Sequence, residues 1–135
     1  MGRGSGGVFA ALACLLAGML LGACQSAVVQ EFPLAKFKAE KMLDAGIREY
    51  DNGNYKVAAR TIQGALDAGL TTRSQGRAHK YLAFMHCIAG QQNQCRDEFR
   101  KGLEADRRLE LSAAESGHPI WAPVFHSAKS GMPKP

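Results

Sequence analysis

The chain has 135 residues, of which 46% are apolar and 21% charged, and a formal charge of +5. That length holds one small domain and excludes a two-domain enzyme, while the apolar fraction excludes a wholly disordered chain. The basic excess is mild and aromatic residues make up only 7%, so neither a basic face nor a stacking platform points to nucleic acid.

The N-terminus carries one positive charge, Arg3, before an apolar run from Val8 to Leu21. Fourteen residues are too few for a membrane span of about 20 residues and suit a signal-peptide core. Leu21-Gly22-Ala23-Cys24 follows. An aliphatic residue, two small residues and a cysteine resemble the bacterial lipobox, in which small side chains flank the cleavage site and the thiol accepts diacylglycerol. Residues 1–23 are therefore expected to be a lipoprotein signal peptide and Cys24 the lipidation site. Gln25, rather than Asp, stands after the cysteine, which implies the outer membrane of a Gram-negative cell, with the domain in the periplasm. Each buried CH₂ contributes about 0.8 kcal/mol, so a multiply acylated chain stays in its bilayer.

Residues 24–38 show no clear period and include Pro33. They read as a tether from lipid to domain, or else as a segment whose Phe32, Leu34 and Phe37 pack on that domain; both readings stand. From Ala39 the pattern becomes helical. Met42, Ala45, Gly46, Glu49 and Tyr50 precede the turn Asp51-Asn52-Gly53-Asn54-Tyr55. Ala58, Ala59, Ile62, Ala65 and Leu66 then continue to Gly69, placed as a C-cap. The same pattern returns 37 residues later. Gly46 maps to Ala83, Gly53 to Gly90, Ala58 to Cys95, Ile62 to Phe99, Ala65 to Gly102 and Leu66 to Leu103. This resembles the tetratricopeptide repeat, with three extra residues near Leu70–Ser74. Gly102 is expected to weaken its helix by up to about 1 kcal/mol. The fold expected is all-α: two tetratricopeptide-like helical hairpins with a C-terminal capping segment.

Cys14 leaves with the leader and Cys24 carries lipid, so Cys87 and Cys95 remain as an even pair in an oxidising compartment. They flank the turn Gly90-Gln91-Gln92-Asn93, where antiparallel helices come within bonding reach. A disulfide is the expected state, closing a nine-residue loop worth about 2.5 kcal/mol. The alternative, a metal site with His79 or His86, does not match structural zinc spacing.

Past Arg107 and Arg108, Ser112-Ala-Ala-Glu115 spells a capping box and Gly117 ends that short helix. Pro119 and Pro123 are expected to suppress helix between them. Ile120, Trp121, Val124 and Phe125 form an apolar cluster expected to be buried as a cap on the last repeat. The competing reading makes it a partner-binding hook around Trp121. The domain is read as 39–128 and residues 129–135 as a flexible tail, with fraying from Ser127.

No nucleophile elbow, phosphate loop, H-E-x-x-H or dinucleotide fingerprint occurs, so neither enzymatic chemistry nor a cofactor or metal is expected. His79 and His86 share a helix face and read as ordinary imidazoles. Asp97, Glu98 and Glu104 interleave with Arg96, Arg100, Lys101 and Arg108; Asp97–Lys101 and Glu104–Arg108 read as i,i+4 pairs on a solvated face.

The lipobox, the hairpins, the run from Ala78 to Asp106 and the ending Gly117–Phe125 together resemble the TssQ-type lipoproteins associated with bacterial type VI secretion. The resemblance covers about Ala39 to Lys129. It implies an outer-membrane, non-enzymatic adaptor or accessory factor, held by its N-terminal lipid and bound to a protein of the secretion apparatus. Two further readings stand beside it: a pilotin-like assembly lipoprotein for a secretin or pilus, and a structural envelope lipoprotein.

Overall fold

The computed structural model describes residues 25–133, with side chains from residue 33. Six helices follow one another: α1 (Gln25–Asp51), α2 (Tyr55–Ala68), α3 (Thr72–Ile88), α4 (Gln92–Ala105), α5 (Ala113–Ser116) and α6 (Ala122–Ser130). No strand occurs among the described residues. The chain divides into two units, Met1–Leu34 and Ala35–Pro135. The described part of the first is the beginning of α1; the second holds the packed domain. Residues 1–23 and Cys24 lie outside the described residues.

Two hairpins make the body of the domain, and their helix ends repeat with an offset of 37. α1 ends at Asp51 and α3 at Ile88; α2 runs Tyr55–Ala68 and α4 Gln92–Ala105. The turn glycines share the offset and the left-handed backbone, Gly53 at φ 79° and Gly90 at φ 75°, a conformation that costs an L-residue about 1–2 kcal/mol. The inward positions of α2 and α4 correspond too. Ala58 and Cys95 are fully buried, as are Ile62 and Phe99.

The inward stripe of α1 is Ala39, Leu43, Gly46 and Ile47, with Met42 exposed at its edge. Gly46 is needed there: a Cβ would lie 2.5 Å from Ile62 Cγ1 and 3.1 Å from the Ile62 nitrogen. Gly76 of α3 and Gly102 of α4 meet in the same way, each Cβ position 3.2 Å from the other's carbonyl oxygen. The small residue that lowers helix propensity in α4 is what allows the two backbones to approach. Thr71 caps α3, its hydroxyl accepting from Ser74 N. Glu40 of α1 secures the same end, accepting from Thr71 Oγ1 at 3.2 Å and Ser74 Oγ at 2.6 Å.

Three expectations are corrected. The segment 25–38 is helical rather than irregular, and α1 passes through Pro33. Its lack of period has a physical reason: Leu34 and Phe37 are 56% and 57% exposed, so no apolar stripe has to recur there. The side chain of Phe32 lies outside the described residues. Between Pro119 and Pro123 the chain forms turns, as expected, and α6 begins at Ala122; Pro123 fits its first turn, where a missing N–H has no intrahelical partner to lose. The end of the chain is not frayed from Ser127: Ala128 is buried, Met132 packs on the core, and Arg107 Nη1 donates to the Pro133 carbonyl at 2.7 Å. In the charge run, Lys101 pairs with Glu98, Arg100 with Asp97 and Glu104, and Arg108 with Asp106, so neither expected i,i+4 pair forms.

Candidate functional site

The apolar interior falls into two clusters. One lies among α1, α2 and α3, around Leu43, Ile62 and Leu82. The other lies among α3, α4 and the C-terminal segment, around Phe84, Phe99 and Phe125. Tyr50 and Tyr81 pack against both. The seam between the clusters is thus made of phenol rings, each apolar in body and polar at its tip.

A row of rings follows that seam. Tyr55, 42% exposed at the start of α2, lies 5.5 Å from Tyr50, centroid to centroid. Tyr50 meets Tyr81 edge-on at 5.1 Å and Phe84 at 6.2 Å. Phe84 meets Trp121 at 4.5 Å, and His118 stacks on Trp121 at 3.3 Å. The row therefore joins both hairpins and the C-terminal segment. Lys80 crosses it: its Nζ donates to Glu115 Oε2 at 2.8 Å and lies 5.6 Å from the Tyr81 ring. Glu115 also accepts from Ser112 N at 2.7 Å, completing the capping box of α5.

Burial pushes the Tyr50 phenol up to about 12, helped by the neighbouring Tyr55, Tyr81, Asp51 and Glu115. Burial and the same two carboxylates raise Tyr81. Both hydroxyls stay protonated at any physiological pH. Among the described residues, neither makes an intramolecular hydrogen bond, so two neutral donors stand on one half-buried aromatic face.

The sequence-predicted residues distribute as follows. Cys87 and Cys95 are joined, their Cα atoms 5.1 Å apart, tying α3 to α4 beside the Gly90 turn. Trp121 and Phe125 are buried among Phe84 and Phe99, Val124 is partly buried against the same cluster, and Ile120 is 43% exposed. Ile120 is the exception because its carbonyl, not its side chain, turns toward Cys87 Sγ, 3.9 Å away. The Trp121 indole N–H donates to the Glu115 carbonyl at 3.1 Å. His79 and His86 do not converge. The ring of His86 contacts Gln91 Oε1 at 2.6 Å, and His79 Nδ1 donates to Glu98 Oε2 at 2.7 Å; a carboxylate only accepts, which places the proton on that nitrogen.

Glu98 itself is buried, not solvated. Its position on the stripe Cys95, Phe99, Gly102 was the available signal. Two surface clefts are lined by charged side chains: one of about 210 Å³ by Arg73, Asp106 and Arg108, the last two paired, and one by Asp97, Arg100, Lys101 and Glu104, where Arg100 pairs with both carboxylates. No family model, curated protein or solved structure matches this chain.

Proposed function

We propose that this chain is a lipid-anchored, non-enzymatic adaptor of the bacterial envelope that serves a type VI secretion apparatus, with the tyrosine end of the aromatic row, Tyr55, Tyr50 and Tyr81, as its partner-binding face. The observation that carries the binding part is the row itself. Tyr and Trp are among the residues that most often anchor interfaces, and here Tyr55, Tyr50 and Tyr81 present their rings side by side. Rigid hairpins hold them, so a docking helix or extended segment meets a preformed surface. The lipobox ending at Cys24 supports outer-membrane attachment with the domain in the periplasm. The run Ala78–Asp106 and the ending Gly117–Phe125 support the link to secretion.

The test is genetic. In a secreting strain lacking this chain, the wild-type copy restores release of the apparatus's tube protein into the medium. Cys24→Ser and Tyr55→Arg copies do not, although the second folds and reaches the membrane. Equal restoration by all three copies rejects the adaptor role.

A further inference from the structure

From Leu34 to Lys38, and again at Lys41, α1 carries exposed side chains. Ala39, Leu43 and Ile47 mark the inward side of the helix. With 3.6 residues per turn, Phe37 and Lys41 fall on the opposite side. Phe37 is 57% exposed, and Lys41 lies over its ring at 5.0 Å. Leu34 is 56% exposed, and Lys36 and Lys38 are exposed as well. A single exposed apolar side chain needs no explanation; exposed large apolar residues interleaved with lysines are a composition that suits a lipid surface.

The acids that follow this face along the helix are engaged by the domain. No acid occurs between Glu31 and Glu40. Glu40 is turned to α3, where it accepts from Thr71 and Ser74. Asp44 is paired with Arg77 at 3.0 Å. Glu40 and Asp44, the latter seven residues after Phe37 and so on its side of the helix, are thus both engaged by α3, and Lys38 and Lys41 remain exposed on the outward face. Phe37 is thirteen positions on from Cys24, so even a fully extended chain carries this face no more than about 45 Å from that thiol. The preceding apolar run ends at Leu21. No helix among the described residues is long and apolar enough to cross a membrane, so α1 has to meet a bilayer from its surface.

We infer that the face of α1 formed by Phe37, Lys38 and Lys41 lies on the anionic headgroups of the membrane that anchors the chain. The lysines meet phosphate, and the Phe37 ring enters the interfacial region between them. Contact there would hold the domain in one orientation, leaving the aromatic row turned to the periplasm's proteins rather than sweeping about a flexible tether. This inference rests on the lipid-anchor reading of Cys24.

The experiment uses the full chain isolated from membranes and reconstituted into vesicles of phosphatidylethanolamine with a minority of phosphatidylglycerol, or of phosphatidylcholine alone. Flotation reports the anchor. The emission that Phe37→Trp adds to the wild-type signal of Trp121 reports the face. In the anionic vesicles that added emission is expected to shift to the blue, to be quenched by lipids brominated near the headgroup, and to be shielded from acrylamide. Lys38→Gln and Lys41→Gln should each weaken the contact about fivefold, the effect of one basic residue at an anionic surface. If the protein floats but the added emission stays open to acrylamide, the anchor stands and the inference falls. If shielding is equal in phosphatidylcholine and indifferent to both lysines, a second protein or a second copy covers the face and the inference again falls. If the protein neither carries acyl chains nor floats, the anchor reading falls and takes the inference with it.

Discussion

The indole of Trp121 lies 4.5 Å from the ring of Phe84, centroid to centroid, with its planes tilted by 32°. Phe84 is 1% exposed and lies one turn before the end of α3, so the C-terminal segment reaches the buried interior of the second hairpin rather than brushing its surface. Trp121 is held from two further sides, by its N–H donated to the Glu115 carbonyl and by the stacked ring of His118. Trp121→Ala is expected to cost about 3–5 kcal/mol, the loss for a buried aromatic. That is a large share of what a domain this size has. Thermal melts of variant and wild type check it. An unchanged melting temperature would return Trp121 to the role of an exposed hook.

Cys87 and Cys95 are both buried and both belong to the cluster around Phe84 and Phe99. Their bond closes a short loop across the Gly90 turn, and reducing it frees the unfolded chain more than the folded one. Replacing both with alanine should lower stability by about 2–3 kcal/mol, the usual cost of a native bridge in a small domain. Thiol labelling of denatured, unreduced protein provides the complementary check: two labelled cysteines in the domain would mean that no bridge had formed.

Features that depend on local sequence were legible before the structure. The turn glycines, the capping box at Ser112 and Glu115, and the pairing of Cys87 with Cys95 each follow from a few neighbouring residues. Position 37 residues apart also predicted which residues of α2 and α4 turn inward. What escaped was set by tertiary contact. Glu98 sits in a run of mixed charge that looks solvated, yet α4 turns it toward His79 of α3. The stretch of helix before Ala39 leaves no periodic trace because its large apolar side chains Leu34 and Phe37 are exposed. The aromatic row escaped because its members come from α1, α2, α3 and the C-terminal segment, far apart in sequence.

Gly102 separates two physical accounts. By helix propensity alone, Gly102→Ala in α4 stabilises by about 1 kcal/mol. By packing it destabilises, since the new Cβ would lie 2.9 Å from Leu109 Cδ2 and 3.2 Å from the Gly76 carbonyl oxygen. The leucine methyl can yield; the backbone of α3 cannot without parting the helices, and overpacking of this kind costs about 1–3 kcal/mol. A net loss is expected. Gly64→Ala in α2 is the control, because its Cβ would meet only the end of the Met42 side chain at 3.1 Å. It should be neutral or stabilise by up to about 1 kcal/mol. Denaturant melts of both variants decide it; a gain for Gly102→Ala would show that the α3–α4 crossing is looser than its contacts imply.

Glu98 gives the domain an acid-sensitive element. Burial pushes its carboxyl up, but hydrogen bonds from His79 and Lys101, together with their charges, outweigh that and leave it below its ordinary value. Lys101 Nζ donates to Oε1 at 2.6 Å while His79 holds Oε2. A carboxyl whose folded value is depressed contributes stability at pH above its unfolded range, about 4.3, and loses it as pH falls through the lower folded value. Wild type should therefore exceed Glu98→Gln in stability at neutral pH by about 1–3 kcal/mol, the worth of hydrogen bonds to a charged group. The gap should close progressively as pH falls below the ordinary carboxylate range, because wild type then loses the charge that the glutamine never had. Urea melts of the two proteins at a series of pH values measure the gap. A difference that stays constant from neutral to acid pH would mean that the pair acts through shape alone, with no contribution from the charge on Glu98.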